Sequence, residues 1–223
     1  MNYRLKLLVF VVCMLAVFFL LNTGYSALNT LSRLDQVEAE RDRWQQPDEV
    51  VKALNLKAGD VAVDLGCGSG YFSLKLSRLV GKNGHVIAED IRRLSLTFLW
   101  VRTILKAAHN ITVLHGETSD PHLPVQRVNE VLISNTFHEL TDPQAILMHV
   151  RESLVSGGGL VVIDRSPKHD DVGPSSLAEH EISVEQVESE LRQAGFEIIE
   201  RRDDFVETDP ENESWWLVEA RKP

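Results

Sequence analysis

The chain has 223 residues, 43% hydrophobic, 25% charged and 7% aromatic, which excludes a disordered chain, a collagen-like repeat and a multi-span membrane protein. The formal charge is −10; residues 1–34 contain Arg4, Lys6 and Arg33 and no acid, so the other 189 residues carry −13, a balance that argues against nucleic-acid partners, whose binding rests on neutralised phosphates. Two cysteines, Cys13 and Cys67, make neither a disulfide framework nor a zinc site.

Arg4 and Lys6 precede an apolar run from Leu7 to Leu21. As a helix, fifteen residues rise about 23 Å, short of the ~30 Å hydrocarbon core and typical of a signal-peptide centre. Gly24 and Ser26 lie three and one residues before a possible cut ahead of Ala27. No charge occurs from Leu7 to Ser32, so the helix can equally extend and span as an uncleaved anchor. Residues 1–34 are therefore expected to be a signal peptide or signal anchor, touching a membrane through residues 5–28 if retained, and residues 35–223 the folded domain. Positive charge before the apolar run predicts the N-terminus inside and the domain outside, membrane-anchored or exported to the periplasm. Asp35 to Arg43 reads as a solvated linker or a first helical turn.

From Trp44 onward strands and helices alternate. Val61–Leu65, His85–Asp90, Ile111–His115, Glu130–Ser134 and Leu160–Asp164 are short apolar runs expected to be strands. Between them, Tyr71–Val80, Leu94–Ala108 and Pro143–Val155 carry helical spacing, as does the stretch marked by Val184, Val187 and Leu191. FEIIER and SWWLVEAR close the chain as two strands without an intervening helix. Continuous apolar strands alternating with helices predict an α/β fold with a doubly wound, mostly parallel sheet. The last two strands are expected to form a hairpin with an antiparallel edge strand. Trp215 and Trp216 put one ring on each face of the sheet.

The strongest chemical signal is the turn Asp64-Leu65-Gly66-Cys67-Gly68-Ser69-Gly70. Three alternate glycines let the backbone bend sharply and approach a ligand, and the following helix points its first N–H groups at the same place. Asp90, ending the second strand, can accept two hydrogen bonds from a ribose. The spacing G-x-G-x-G differs from the dinucleotide G-x-G-x-x-G.

VAVDLGCGSGYFS, with VIAED after it, resembles the class I S-adenosylmethionine-dependent methyltransferases, over roughly Trp44 to the end. The resemblance implies a seven-stranded Rossmann-like sheet, S-adenosyl-L-methionine as cofactor and a methyltransferase activity. It assigns Asp64, Gly66, Gly68 and Gly70 to the methionine part of the cofactor and Asp90 to the ribose. Gly116-Glu117-Thr118 stands where the family often has Gly-Asp-Ala, which puts Glu117 and Thr118 beside the adenine. Leu154 to Asp164 resembles the family segment leading into strand five, with Val-Ser for the usual Lys-Pro. Ser134-Asn135-Thr136-Phe137-His138-Glu139 lacks the two prolines of enzymes that methylate base amines or glutamine amides. It is similar to the Asn-x-x-His of small-molecule methyltransferases, which brings Asn135 to the cofactor. Trp44-Gln45, Pro47, Asp142-Pro143 and Gly173-Pro174 through His180 resemble a bacterial branch of the family, and Trp44 is either a cofactor cover or a core anchor.

A sulfonium is already an activated methyl donor, so the protein has mainly to align the acceptor and exclude water; proximity and orientation are worth ~7–11 kcal/mol. His138, just past the fourth strand, is the first candidate for a base or acceptor-orienting group, against a helix-capping or hydrogen-bonded histidine; His180 is the second, and Glu139, which could also serve, reads rather as a cap or a solvated acid. No metal is expected: His169-Asp170-Asp171 reads as a solvated loop. There is no H-E-x-x-H and no G-x-S-x-G around Ser69, and Cys67 reads as a packing residue. The expected function is methyl transfer to a small-molecule or lipophilic acceptor. The alternatives are a cofactor-binding protein of the same fold without turnover and a nicotinamide-dependent oxidoreductase.

Overall fold

A computed structural model describes residues 2–167, 181–206 and 213–223. His180 and the stretch His169–Asp171 lie outside the described residues, as does Gly173-Pro174. The chain divides into two units, Met1–Arg41 and Asp42–Pro223.

The first unit consists of helix, the greater part of α1 (Tyr3–Trp44). Of the two readings of Asp35 to Arg43, linker or helical turn, the structure takes the helical one, because Gln36, Glu38, Ala39, Glu40 and Arg41 are strong helix formers and no glycine or proline follows Gly24 before Pro47. Lys6–Trp44 is long and apolar enough to cross a membrane by length and composition.

The second unit holds α2 (Pro47–Ala53), β1 (Val61–Leu65), α3 (Tyr71–Val80), β2 (His85–Asp90), α4 (Arg93–Leu105), β3 (Ile111–His115), β4 (Val128–Ser134), α5 (Pro143–Ser153), β5 (Leu154–Arg165), α6 (Val184–Gln193), β6 (Glu197–Val206) and β7 (Trp215–Arg221). A 3-10 turn, Phe137–Glu139, follows β4. The seven strands form one sheet in the order β3-β2-β1-β4-β5-β7-β6. The first five in that order are mutually parallel, and β7 runs antiparallel to both its neighbours. The sheet is thus the doubly wound α/β sheet expected, with one difference. The antiparallel strand is not at the edge: β7 lies between β5 and β6. Trp215, Trp216, Leu217, Val218 and Ala220 of β7 are buried, whereas Glu197, Glu200, Arg201 and Asp203 leave β6 largely exposed. The apolar strand takes the interior position and the charged one guards the edge.

Pleating sends alternate side chains to opposite faces. Ala62, Val86, Leu132, Val161 and Leu217 face α2 and α3. Val63, Val131, Ile133, Leu160 and Val218 face α5 and α6. Trp215 and Trp216 join opposite cores in the same way. Trp44 packs its ring 5.7 Å from that of Trp215, on the α2–α3 side. Helix α2, seven residues opened by Pro47, is too short to show periodicity in the sequence. Helix α4 ends before Ala107, whose φ of 52° is left-handed, and β5 starts early because Leu154 pairs with Val128.

Leu132 is fully buried on the central strand β4. Leu132→Ala is expected to lower stability by about 2–5 kcal/mol, measured by urea unfolding of the full chain.

Candidate cofactor site

The order of strands reverses direction beside β1, which has β2 on one side and β4 on the other. Ligands in open α/β sheets bind in the crevice at such a switch point, past the carboxyl ends of the strands. The register Leu65↔Glu89 and Leu65↔Ile133 levels three strand ends at that place.

The glycine turn is fastened to the end of β2. Gly66 N and Cys67 N both donate to the Glu89 carbonyl at 2.9 Å, and Gly68 N donates to Asp90 Oδ2 at 2.8 Å. Gly66 sits at φ 73°, and a Cβ there would collide with the side chain of Thr136. A Cβ on Gly68 would meet nothing within 4 Å, so the loop faces open space at its apex. Gly70 precedes α3 with no side-chain cap for the first N–H groups.

Neighbouring side chains hold this corner. Buried Asp64 accepts from Ser73 Oγ at 2.5 Å, tying the end of β1 to the first turn of α3. Arg102, buried on the inner side of α4, donates to the Ser69 carbonyl at 2.6 Å. Thr136 Oγ1 donates to the Ser134 carbonyl at 3.0 Å and lies 3.4 Å from that of Gly66. The Cys67 thiol is pushed far up by burial and then by the charges of Asp64 and Asp90, which keeps it a packing group rather than a nucleophile.

Asp90 is buried, and its second oxygen accepts from Arg92 N at 2.7 Å. Each carboxylate oxygen thus has one backbone donor and keeps acceptor capacity. After β3, Gly116 N lies 3.3 Å from the Asp90 carbonyl, and Glu117 and Thr118 follow in an exposed turn closed by Glu117 N to the Asp120 carbonyl at 2.8 Å. After β4, Asn135 takes the left-handed region at φ 52° and donates its N–H to the Ile163 carbonyl at 2.8 Å. Its side-chain oxygen is buried without a hydrogen-bond partner among the described residues. His138 is bound to Asp164 twice, by ring Nδ1 at 2.8 Å and backbone N at 3.2 Å, with both side chains almost fully covered. Glu139 pairs with Arg92, joining the turn after β4 to the end of β2. No group of three metal-ligating side chains is found among the described residues.

Arg102, Thr136, Ser73 and Asp164 were not singled out as site residues from the sequence. Arg102 had a readable signal: Leu96, Leu99 and Arg102 follow at i+3 intervals, which puts an arginine on the inward stripe of a helix.

The methyltransferase-domain family profile matches residues 56–220. The chain belongs to that family. A demethylmenaquinone methyltransferase of Staphylococcus saprophyticus is 29% identical over 142 residues, 64% of this chain and 58% of the relative. The chain thus spans little more than half the length of the curated relatives it matches. Among solved structures, a SAM-dependent methyltransferase from Aquifex aeolicus superposes with a TM-score of 0.72 at 25% identity, covering 86% of this chain and 98% of that one. The [4+2]-cyclase SpnF superposes with a TM-score of 0.69 at 17% identity, covering 80% of this chain and 81% of its own, a likeness of fold alone. By family and fold the second unit is a class I S-adenosylmethionine-dependent methyltransferase domain. The open apex at Gly68, the unpartnered Asn135 oxygen and the spare capacity of Asp90 fit such a cofactor.

In this methyltransferase domain the Glu89 carboxyl is pushed from 4.5 to about 8, chiefly by burial and then by the charge of Asp90. Below the lower value both folded and unfolded chains hold the proton; between the two values only the folded chain does. Rising pH therefore draws the chain toward the ionised, unfolded form, and stability falls across that window. Glu130, also pushed to about 8 by burial, acts in the same direction. Glu89→Gln is expected to flatten that fall, read as melting temperature against pH beside the parent chain.

Proposed function

We propose that the chain transfers the methyl group of S-adenosylmethionine to a small, lipophilic acceptor. The observation that carries this reading is the meeting, at one switch point, of the open glycine corner, Asp90 and the buried, unpartnered Asn135 oxygen. In this reading Gly66, Gly68 and Gly70 bring the backbone up to the methionine part, with Asp64 holding the corner through Ser73. The two oxygens of Asp90 take the ribose hydroxyls, Glu117 and Thr118 border the adenine, and Asn135 accepts an N–H from the cofactor. When bound, S-adenosylmethionine supplies an activated methyl group, so the protein has to position the acceptor and keep water out. His138 is a positioning residue: Asp164 holds its ring and its backbone N–H together, which fixes the Asn135–Glu139 turn against β5. A lipophilic acceptor is supported by the name of the demethylmenaquinone methyltransferase relatives and by the apolar helix α1.

Calorimetry with the full chain is expected to detect binding of S-adenosylmethionine. Asp90→Asn, which removes a charged acceptor worth about 1.5–3 kcal/mol per hydrogen bond, is expected to weaken it at least about tenfold. With labelled cofactor, label is expected in the solvent-extractable fraction of a bacterial lipid extract. Binding without label in either lipid or aqueous fraction would select the reading without turnover, since one fold serves many functions.

We infer that residues 1–34 anchor residues 35–223 through membrane contact at 5–28. Orientation follows Lys and Arg counted on both flanks, not acids. Arg33, Arg41 and Arg43 follow the apolar run and outnumber Arg4 and Lys6 before it, which reverses the outside placement expected from the leading charges alone and favours the domain on the cytoplasmic side, where the cofactor is made. A C-terminal fluorescent reporter is expected to light the cytoplasm; a reporter active only outside would oppose turnover in the cell.

A further inference from the structure

Helix α4 is apolar on both sides. Leu96 and Leu99 are buried against Cys67 and Ala88, yet Leu94, Trp100, Ile104 and Leu105 are each more than half exposed. Among the described residues after Asp42, nine large apolar side chains stand exposed, and five of them fall between Ile91 and Leu105. A helix apolar all round is ordinarily covered on all sides, and exposed apolar groups gathered in one patch mark an interaction surface.

The charge around this helix is opposite to that of the domain. Residues 65–116 carry seven Lys and Arg against two acids, Glu89 and Asp90, in a domain of strongly negative net charge. Both acids are buried at the carboxyl end of β2, in the glycine corner. At the other end of the helix a cleft of 660 Å³ is lined by Arg78, Lys82, His85, Lys106 and His109, with no acid in its lining. Asp60, beside the cleft through its carbonyl near Gly84, turns its carboxylate to Lys57 N at 2.7 Å. Arg78, Lys82 and Arg93 make no ion pair among the described residues.

We propose that the outer face of α4, with the basic cleft at its C-terminal end, docks on an anionic phospholipid bilayer. Tryptophan and leucine on one helix face flanked by Lys and Arg is the chemistry of an interfacial helix, the apolar groups entering the acyl boundary and the cations meeting headgroup phosphates. Charge complementarity selects the lipid over a second copy. A two-fold dimer through this face would bring the Arg93 and Lys106 cations of one copy against those of the other. This docking is separate from α1 and requires no methyl transfer.

The test uses the full chain reconstituted in vesicles whose lipids carry bromine on the acyl chains. In phosphatidylcholine–phosphatidylglycerol vesicles, tryptophan emission is expected to be quenched, and Trp100→Phe is expected to lose most of that quenching. The other tryptophans, Trp44, Trp215 and Trp216, remain and report any contribution from elsewhere. Vesicles of phosphatidylcholine alone, or a rise to ~1 M salt, which shortens the Debye length to about 3 Å, are expected to abolish the Trp100 component. An Arg78→Gln, Lys82→Gln double variant is expected to weaken the phosphatidylglycerol dependence while leaving Trp100 emission in detergent unchanged. Equal quenching in the parent chain and Trp100→Phe, or quenching indifferent to phosphatidylglycerol, would overturn the proposal. So would a detergent-solubilised dimer that Leu105→Glu separates, because the face would then belong to a second copy.

Discussion

Three backbone N–H groups at the end of β1 are taken by the end of β2: two by the Glu89 carbonyl and one by the Asp90 carboxylate. The parallel register Leu65↔Glu89 carries this pairing from strand into loop, so the glycine corner inherits the position of the sheet. A loop held in this way is pre-organised, and a ligand binding there does not have to order it. The same fastening brings an acid to the corner from each of two adjacent strands, Asp64 from β1 and the pair Glu89–Asp90 from β2. The structure answers their mutual repulsion in two ways: Asp64 accepts a hydrogen bond from Ser73, and Glu89 is driven toward its neutral form by burial and by Asp90. Arg102 meanwhile holds the Ser69 carbonyl from the adjoining helix. The site is therefore the joint product of β1, β2, α3 and α4, and no single motif contains it.

That division explains what the sequence disclosed. The glycines, Asp64 and Asp90 are contiguous with strand ends, so their spacing alone located the corner. Strand boundaries set by continuous apolar runs, such as Val61–Leu65 and His85–Asp90, match the structure, because burial on both faces leaves no other reading. Arg102, Thr136 and Asp164 come from distant segments and reach the site by packing, which local spacing does not encode. The position of β7 was missed for a related reason. Adjacency in the chain suggests a simple hairpin edge, but interior placement is decided by comparing the apolar content of β6 and β7, two strands that compete for the same neighbour.

The turn after β4 shows how a motif can be legible while its geometry is not. Asn-x-x-His is visible as residues 135–138. Its histidine is bound at both ring and backbone by Asp164, a strand-end acid of β5 whose register places it one residue past the Ser134↔Ile163 pair. An aspartate accepting from Nδ1 favours the tautomer with the proton on that atom. Asn135, left-handed, donates its N–H to the Ile163 carbonyl, and the next residue, Thr136, lies against Gly66 of the glycine corner. A histidine so covered fastens the turn after β4 to the end of β5 from inside the domain.

Helix α4 joins the two ends of the domain. Its inner side supplies Leu99, against which a Cβ on Gly70 would collide, and Arg102, which holds Ser69; its outer side is apolar and its surroundings basic. The inner side has to be apolar to pack on β2 and β3, but that requirement does not extend outward. Burying one large aliphatic or aromatic side chain is worth roughly 1.5–3 kcal/mol, so four left in water on one helix represent a considerable driving force toward whatever covers them. A cover on that face would press on the same helix that fixes the glycine corner. Its N-terminal end adjoins Asp90 through Arg92, so the exposed apolar face and the glycine corner are two sides of one rigid element.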